Sequence, residues 1–175
     1  MIETFEKNSC ILLIDIQEDY KNKIKNYDKF KTNIKKILKK GREKNVMICF
    51  INQIDNNKSK WIPFYEELKK ENRNLNKGIY LNFAQPNNKE NKIIKNTNDA
   101  FLNTKLNIFL KKNKIKNLYI CGLLTGVCVL NTIFTGFNLG YRIYLIKNGC
   151  EDEDKKRHDF IIKYYSNKLF LPFLI

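Results

Sequence analysis

Apolar and polar positions along this chain follow two rhythms in turn. Short apolar runs occupy residues 10–14, 46–51 and 118–121, and further strand-like segments lie at 92–95, 141–146 and 169–171. Runs of this length without alternation fit strands buried on both faces of a parallel sheet. Between them, apolar residues return at helical spacing. Phe30, Ile34, Ile37 and Leu38 predict a helix over 27–40 with Gly41 as its stop signal. Leu102, Leu106, Phe109 and Leu110 predict a second over 100–112. A third opens at Cys128 with Leu130, Ile133, Phe134 and Phe137 as its buried face, ending at Asn138 and Gly140. A fourth spans 152–165, with Phe160, Ile161 and Tyr164 turned inward. Strand, amphipathic helix and strand in succession make a βαβ unit, so the strands should be parallel and the crossover right-handed. The fold class is α/β.

Residues 52–91 break the rhythm. Trp61, Pro63, Phe64, Tyr65 and Leu68 form an aromatic cluster consistent with a short helix, followed by loop over 78–86. Long irregular segments in compact domains tend to cover or build functional sites. The one tryptophan, Trp61, reads equally as a pocket wall or as packing. No repeat or linker divides the chain, so residues 1–175 are read as a single domain.

Charge changes this picture less than its size implies. The net charge is +15, yet the lysines are spread over every segment and only four arginines occur. Nucleic-acid surfaces lean on arginine and on clustered patches, so compositional drift is the preferred account and no specific nucleic-acid partner is expected. No stretch approaches the roughly 20 apolar residues of a membrane span, and Asp15 interrupts the first apolar run, which leaves no signal-peptide pattern. A cytoplasmic location is expected. Five cysteines without framework spacing fit a reducing compartment, and the absence of Cys-x-x-Cys argues against a thioredoxin-type role.

Three chemically able residues fall at strand ends, where open α/β sheets gather function. Asp15 follows the first strand, either as a chemical group or as a turn cap. Lys95 closes the third strand; for one lysine among so many a surface role is the default. Cys128 stands just past the fourth strand at a predicted helix start. Unpaired amide N–H groups and the helix dipole favour a thiolate there.

Taken together, Leu13-Ile14-Asp15-Ile16-Gln17-Glu18-Asp19-Tyr20, Ile93-Ile94-Lys95-Asn96-Thr97-Asn98-Asp99-Ala100-Phe101 and Cys121-Gly122-Leu123-Leu124-Thr125-Gly126-Val127-Cys128 resemble, in order, the motifs of the isochorismatase-like, or cysteine hydrolase, superfamily. Gly140-Tyr141-Arg142 continues the pattern. The resemblance implies a Rossmann-like three-layer α/β/α fold with a six-stranded parallel sheet in the order 3-2-1-4-5-6. It implies a triad of Asp15, Lys95 and Cys128, a cis peptide at Leu123–Leu124, and an oxyanion hole from the N–H groups of Leu124 and Cys128. Gln17, Tyr20, Gln53, Trp61 and Phe101 are placed around a small-molecule substrate. A homo-oligomer, dimer or tetramer, is implied as well.

Departures narrow the reading. The family's metal-dependent nicotinamidases carry an Asp and two His after the second strand, where this chain has Asn52-Gln53-Ile54-Asp55-Asn56-Asn57. Its only histidine, His158, lies in a late helix and reads as structural. No histidine-ligated metal and no cofactor are expected. The frequent acidic residue two before the nucleophile is Gly126 here, which alters polar support behind the turn. True isochorismatases lack the cysteine, so Cys128 tilts the reading toward hydrolysis of a small amide, ureido or carbamoyl C–N bond. The rival reading is a catalytically impaired relative that serves as an oligomeric interaction module.

Overall fold

The computed structural model describes residues 4–55, 62–69 and 75–175. Six parallel strands form one sheet in the order β3-β2-β1-β4-β5-β6. They are β1 (Ser9–Ile14), β2 (Met47–Gln53), β3 (Asn91–Lys95), β4 (Asn117–Leu123), β5 (Arg142–Glu151) and β6 (Leu171–Phe173). Their connections carry α1 (Tyr27–Glu43), α2 (Ile62–Lys69), α3 (Leu106–Lys112), α4 (Leu130–Asn138) and α5 (Lys155–Tyr165). β1 and β4 are buried along their whole length, as runs without alternation require.

Register shows which face each helix covers. Ile11 and Ile48 are partners across β1 and β2, and both meet Gly41 of α1. Leu118 and Ile143 are partners across β4 and β5, and both meet Gly136 of α4. Leu118 pairs with Cys10, one residue before Ile11, so the two helices lie on opposite faces. Gly41 is therefore a packing residue and not a stop. A Cβ there would sit 2.6 Å from Ile11 Cδ1, and the helix runs on to Glu43.

Three further helices depart from the sequence expectation. α3 starts at Leu106 rather than at residue 100, and Leu102 is exposed. Thr97, Asp99 and Thr104 bond nearby backbone groups and hold 97–106 in turns, a competition typical of short polar side chains. α4 buries Thr132, Ile133 and Gly136, while Phe134 and Phe137 are partly exposed. α5 starts at Lys155 under the cap of Asp154, whose side chain accepts from Lys156 N and Arg157 N. It buries Ile161 and Ile162, and Phe160 and Tyr164 stack on each other at the surface, 5.3 Å apart.

The carboxyl edge of the sheet positions the chemistry. β5 carries extra residues opposite β4, because Ile120 pairs with Leu145 but Gly122 pairs with Cys150. That irregularity extends β5 to Glu151, beside the turn that follows β4. No helix among the described residues is long and apolar enough to cross a membrane.

Candidate active site

β1 ends at Ile14, whose neighbours are Ile51 of β2 and Gly122 of β4. Asp15 follows in the left-handed region, φ 51°, which Asp tolerates better than most residues, and donates its N–H to Ile51 O at 2.8 Å. Its side chain is thereby turned into the crevice between β1, β2 and β4. Lys95 pairs in register with Gln53, which brings its side chain to the same crevice from β3.

Gly122 sets the other wall. Its φ is +132°, and a Cβ would lie 2.0 Å from Ile14 O, so only glycine lets the strands meet there. The peptide Leu123–Leu124 is cis, where the resemblance placed it. The chain then enters a wide turn, Thr125–Val129. Leu124 O accepts from Val129 N–H, five residues on, at 3.2 Å, and from Val127 N–H at 3.0 Å. Cys128 thus sits inside a π-type turn before α4 rather than at the first position of an α-helix. Such insertions recur at functional sites.

Asp15, Lys95 and Cys128 meet in the interior. Lys95 Nζ is 2.7 Å from Asp15 Oδ2 and 3.4 Å from Cys128 Sγ, and none of the three residues is more than 3% exposed. The ammonium also donates to Gln53 Oε1 at 2.9 Å and Thr97 O at 3.0 Å. The thiol has two further acceptors, Gln53 Oε1 at 3.7 Å and Asn98 Oδ1 at 3.8 Å. Asp15's two carboxylate oxygens are fully buried and, among the described residues, meet no well-aligned hydrogen-bond donor. The carboxylate is held by Lys95's charge and retains accepting capacity.

Protonation follows from these surroundings. Burial raises the Asp15 carboxyl above its ordinary range, against the pull of Lys95. Burial likewise pushes the Cys128 thiol up, the Asp15 charge adds to it, and Lys95 opposes both. For Lys95, burial opposes the charged form but the Asp15 and Cys128 charges prevail, so its ammonium is favoured. These surroundings act against the thiolate that a helix start was expected to favour. Desolvation and the neighbouring carboxylate charge favour the thiol, Lys95 favours the thiolate, and the net direction for Cys128 is upward.

The remaining residues fall into three groups. Gln53 stands in the centre, touching both Lys95 and Cys128. Gln17 and Tyr20 are one step back. Gln17 brackets the Gln53 backbone, accepting from its N–H and donating to its C=O, both at 3.0 Å, and the Tyr20 hydroxyl is 3.3 Å from Gln53 Oε1. Phe101 is instead a packing residue: its ring stacks on Tyr141, at the end of β5 remote from the turn that carries Cys128. Trp61 lies outside the described residues. Asp55 is taken up by Gln53 Nε2 and Asn76 Nδ2, and among the described residues no three His, Cys, Asp or Glu side chains form a metal-ligand set.

The structure adds residues that the sequence did not single out. Asn98 faces the sulfur; its nearness to Lys95 in the chain was the only signal. Asn76 bonds Asp55 Oδ2 and the Tyr20 hydroxyl, closing a buried polar network behind Gln53. Behind the turn, Thr125 Oγ1 donates to Glu151 O at 3.0 Å and is 2.8 Å from His158 Nδ1, so the histidine takes the Nδ1–H tautomer to donate to it. The polar support missing at Gly126 comes from Asp152, whose carboxylate accepts the Gly126 N–H at 2.7 Å.

Comparison with known proteins agrees with this fold. A family profile described as Isochorismatase domain matches residues 9–172. A Bacillus subtilis protein described as the uncharacterized isochorismatase family protein YrdC is 30% identical over 164 residues, covering 88% of this chain and 82% of that one. Among solved structures, a cysteine hydrolase from Pseudomonas syringae superposes with a TM-score of 0.85 at 15% identity, covering 98% of this chain and 91% of that one. An N-carbamoylsarcosine amidase from Thermoplasma acidophilum superposes with a TM-score of 0.75 at 14% identity, covering 95% and 94%.

Proposed function

The chain belongs to the isochorismatase family, whose members include hydrolases, and on that premise we propose that it cleaves a small amide, ureido or carbamoyl C–N bond through a thioester on Cys128. The observation that carries this reading is the buried triad, with Lys95 Nζ 2.7 Å from Asp15 and 3.4 Å from the sulfur. The likeness to an N-carbamoylsarcosine amidase is one of fold, and it agrees with the bond class without fixing the substrate.

Asp15 takes the S–H proton as sulfur bonds to the carbonyl carbon. Lys95 offsets the charge that passes between them. The N–H groups of Leu124 and Cys128 receive the oxyanion, a contribution of about 3 kcal/mol per donor in comparable sites. The C–N bond then breaks, and Asp15 returns its proton to the departing nitrogen. Water enters, gives a proton to Asp15 and attacks the thioester. The C–S bond breaks, the acid leaves, and the proton returns to sulfur.

Acid-quenching the protein during turnover of a small amide, then mapping the peptides by mass spectrometry, tests the intermediate. The acyl mass is expected on Cys128 and should be removed by hydroxylamine. An acyl mass on another residue, or turnover undiminished in Cys128→Ala, overturns the reading.

A further inference from the structure

The nucleophile turn is fastened from behind by residues outside the triad. Asp152 follows the last residue of β5 and is 1% exposed. Its Oδ2 accepts the Gly126 N–H at 2.7 Å. Its Oδ1 accepts Arg157 Nε at 3.1 Å, Asp154 N–H at 3.1 Å and a second guanidinium N–H of Arg157. Both oxygens are thus committed, one to the turn and one to the start of α5. Arg157 in turn lies over Gly126: a Cβ there would be 2.7 Å from Arg157 Cδ and 2.8 Å from Nε. Glycine at 126 is what admits the guanidinium stem. Thr125, next door, is held by Glu151 O and His158. Two consecutive residues of the turn that presents Cys128 are therefore tied to the end of β5 and the first turn of α5.

We propose that Asp152 and Arg157 are positioning residues that fix the nucleophile turn through the Gly126 N–H. This rests on the reading of Cys128 as nucleophile and assigns the pair no contact with substrate. A π-type turn has looser internal bonding than an α-helix, with Leu124 O shared between two N–H groups. An external acceptor on Gly126 N–H gives such a turn one orientation. A charged acceptor, itself buried and tied to a guanidinium, holds that orientation more stiffly than a neutral one. Displacements of about 1 Å at a reacting group cost on the order of 100-fold in rate, so a clamp of this kind acts on kcat.

The test compares wild type with Asp152→Asn and Arg157→Lys. Asparagine keeps the shape and loses the ion pair; Arg157→Lys keeps the charge at a partly exposed site and loses the two-pronged contact. Two readouts are taken on protein whose circular dichroism matches wild type: iodoacetamide alkylation of Cys128 followed by peptide mass, and kcat and KM for a small amide. Asp152→Asn is expected to slow Cys128 alkylation about tenfold and lower kcat by about 10- to 100-fold, with KM within twofold. Arg157→Lys is expected to do the same to a smaller extent, and it decides the matter if Asp152→Asn does not fold. Alkylation and kcat at or above wild type in a folded variant overturn the clamp alone. Alkylation that passes over Cys128 in the wild type overturns the nucleophile reading on which the clamp rests.

Discussion

In the proposed mechanism Asp15 carries more of the chemistry than its place at a strand end discloses. A carboxylate buried beside a thiol serves as a base only while it is unprotonated, and burial has raised the pH at which it takes up a proton. The acid limb of kcat/KM is therefore expected above the ordinary aspartate range of about 4, with activity falling as pH drops through it. A limb centred at or below that range would contradict the assignment of Asp15 as base. Lys95 is the partner that makes the buried charge tolerable. Lys95→Met leaves Asp15 without its cation and is expected to cost about 3 kcal/mol near neutral pH, measured by urea unfolding. The sign with pH follows from the direction of the Asp15 shift. A carboxyl whose folded pKa lies above its unfolded value contributes stability at low pH and loses it as pH rises through the folded pKa. Without Lys95 that upward shift grows, so the deficit of the variant should widen from about pH 5 to pH 8.

At the scale of elements, glycines decide where backbone can run. Gly122→Ala would place a Cβ 2.0 Å from Ile14 O at φ +132°, whereas Gly140→Ala meets nothing within 4 Å at φ +87°. Both pay for the backbone angle, but only the first breaks the β1–β4 contact that holds Asp15 and the nucleophile turn together. Gly122→Ala is expected to lose about 3 kcal/mol or more and Gly140→Ala about 1 kcal/mol, compared by urea midpoint. Strands were readable in the sequence because burial on both faces leaves continuous apolar runs, and residues 10–14 and 118–121 fall inside β1 and β4. Helix faces were less readable. α4 follows a widened turn over Thr125–Val129, and of its expected face Ile133 is buried while Phe134 and Phe137 are exposed and Thr132 and Gly136 are buried instead. Gly136 allows an approach close enough for Phe101 and Ile143 to pack against it, a gain that spacing rules assign to larger side chains.

For the whole molecule, what was legible depended on whether a residue acts through its own strand end or through a distant one. Asp15 and Cys128 follow strands and Lys95 closes one, and parallel topology brings those ends together, so order along the chain carried the information. Asp152 reaches Gly126 only because β5 outruns β4 by an irregularity in register, which no periodicity announces. The same distinction bears on charge. A net charge of +15 with lysines in every segment is expected to give only nonspecific attraction to polyanions. Binding to duplex DNA should fall steeply with salt and vanish near 0.15 M, as followed by fluorescence anisotropy, where a built site would persist with a discrete footprint.

The nucleophile is the point on which the account turns. Ammonia released from a panel of small amide, ureido and carbamoyl compounds, measured for wild type and Cys128→Ala side by side, tests it most directly. The prediction is release by the wild type from at least one compound and none above blank by the variant. Equal release by both proteins, or by neither, contradicts it.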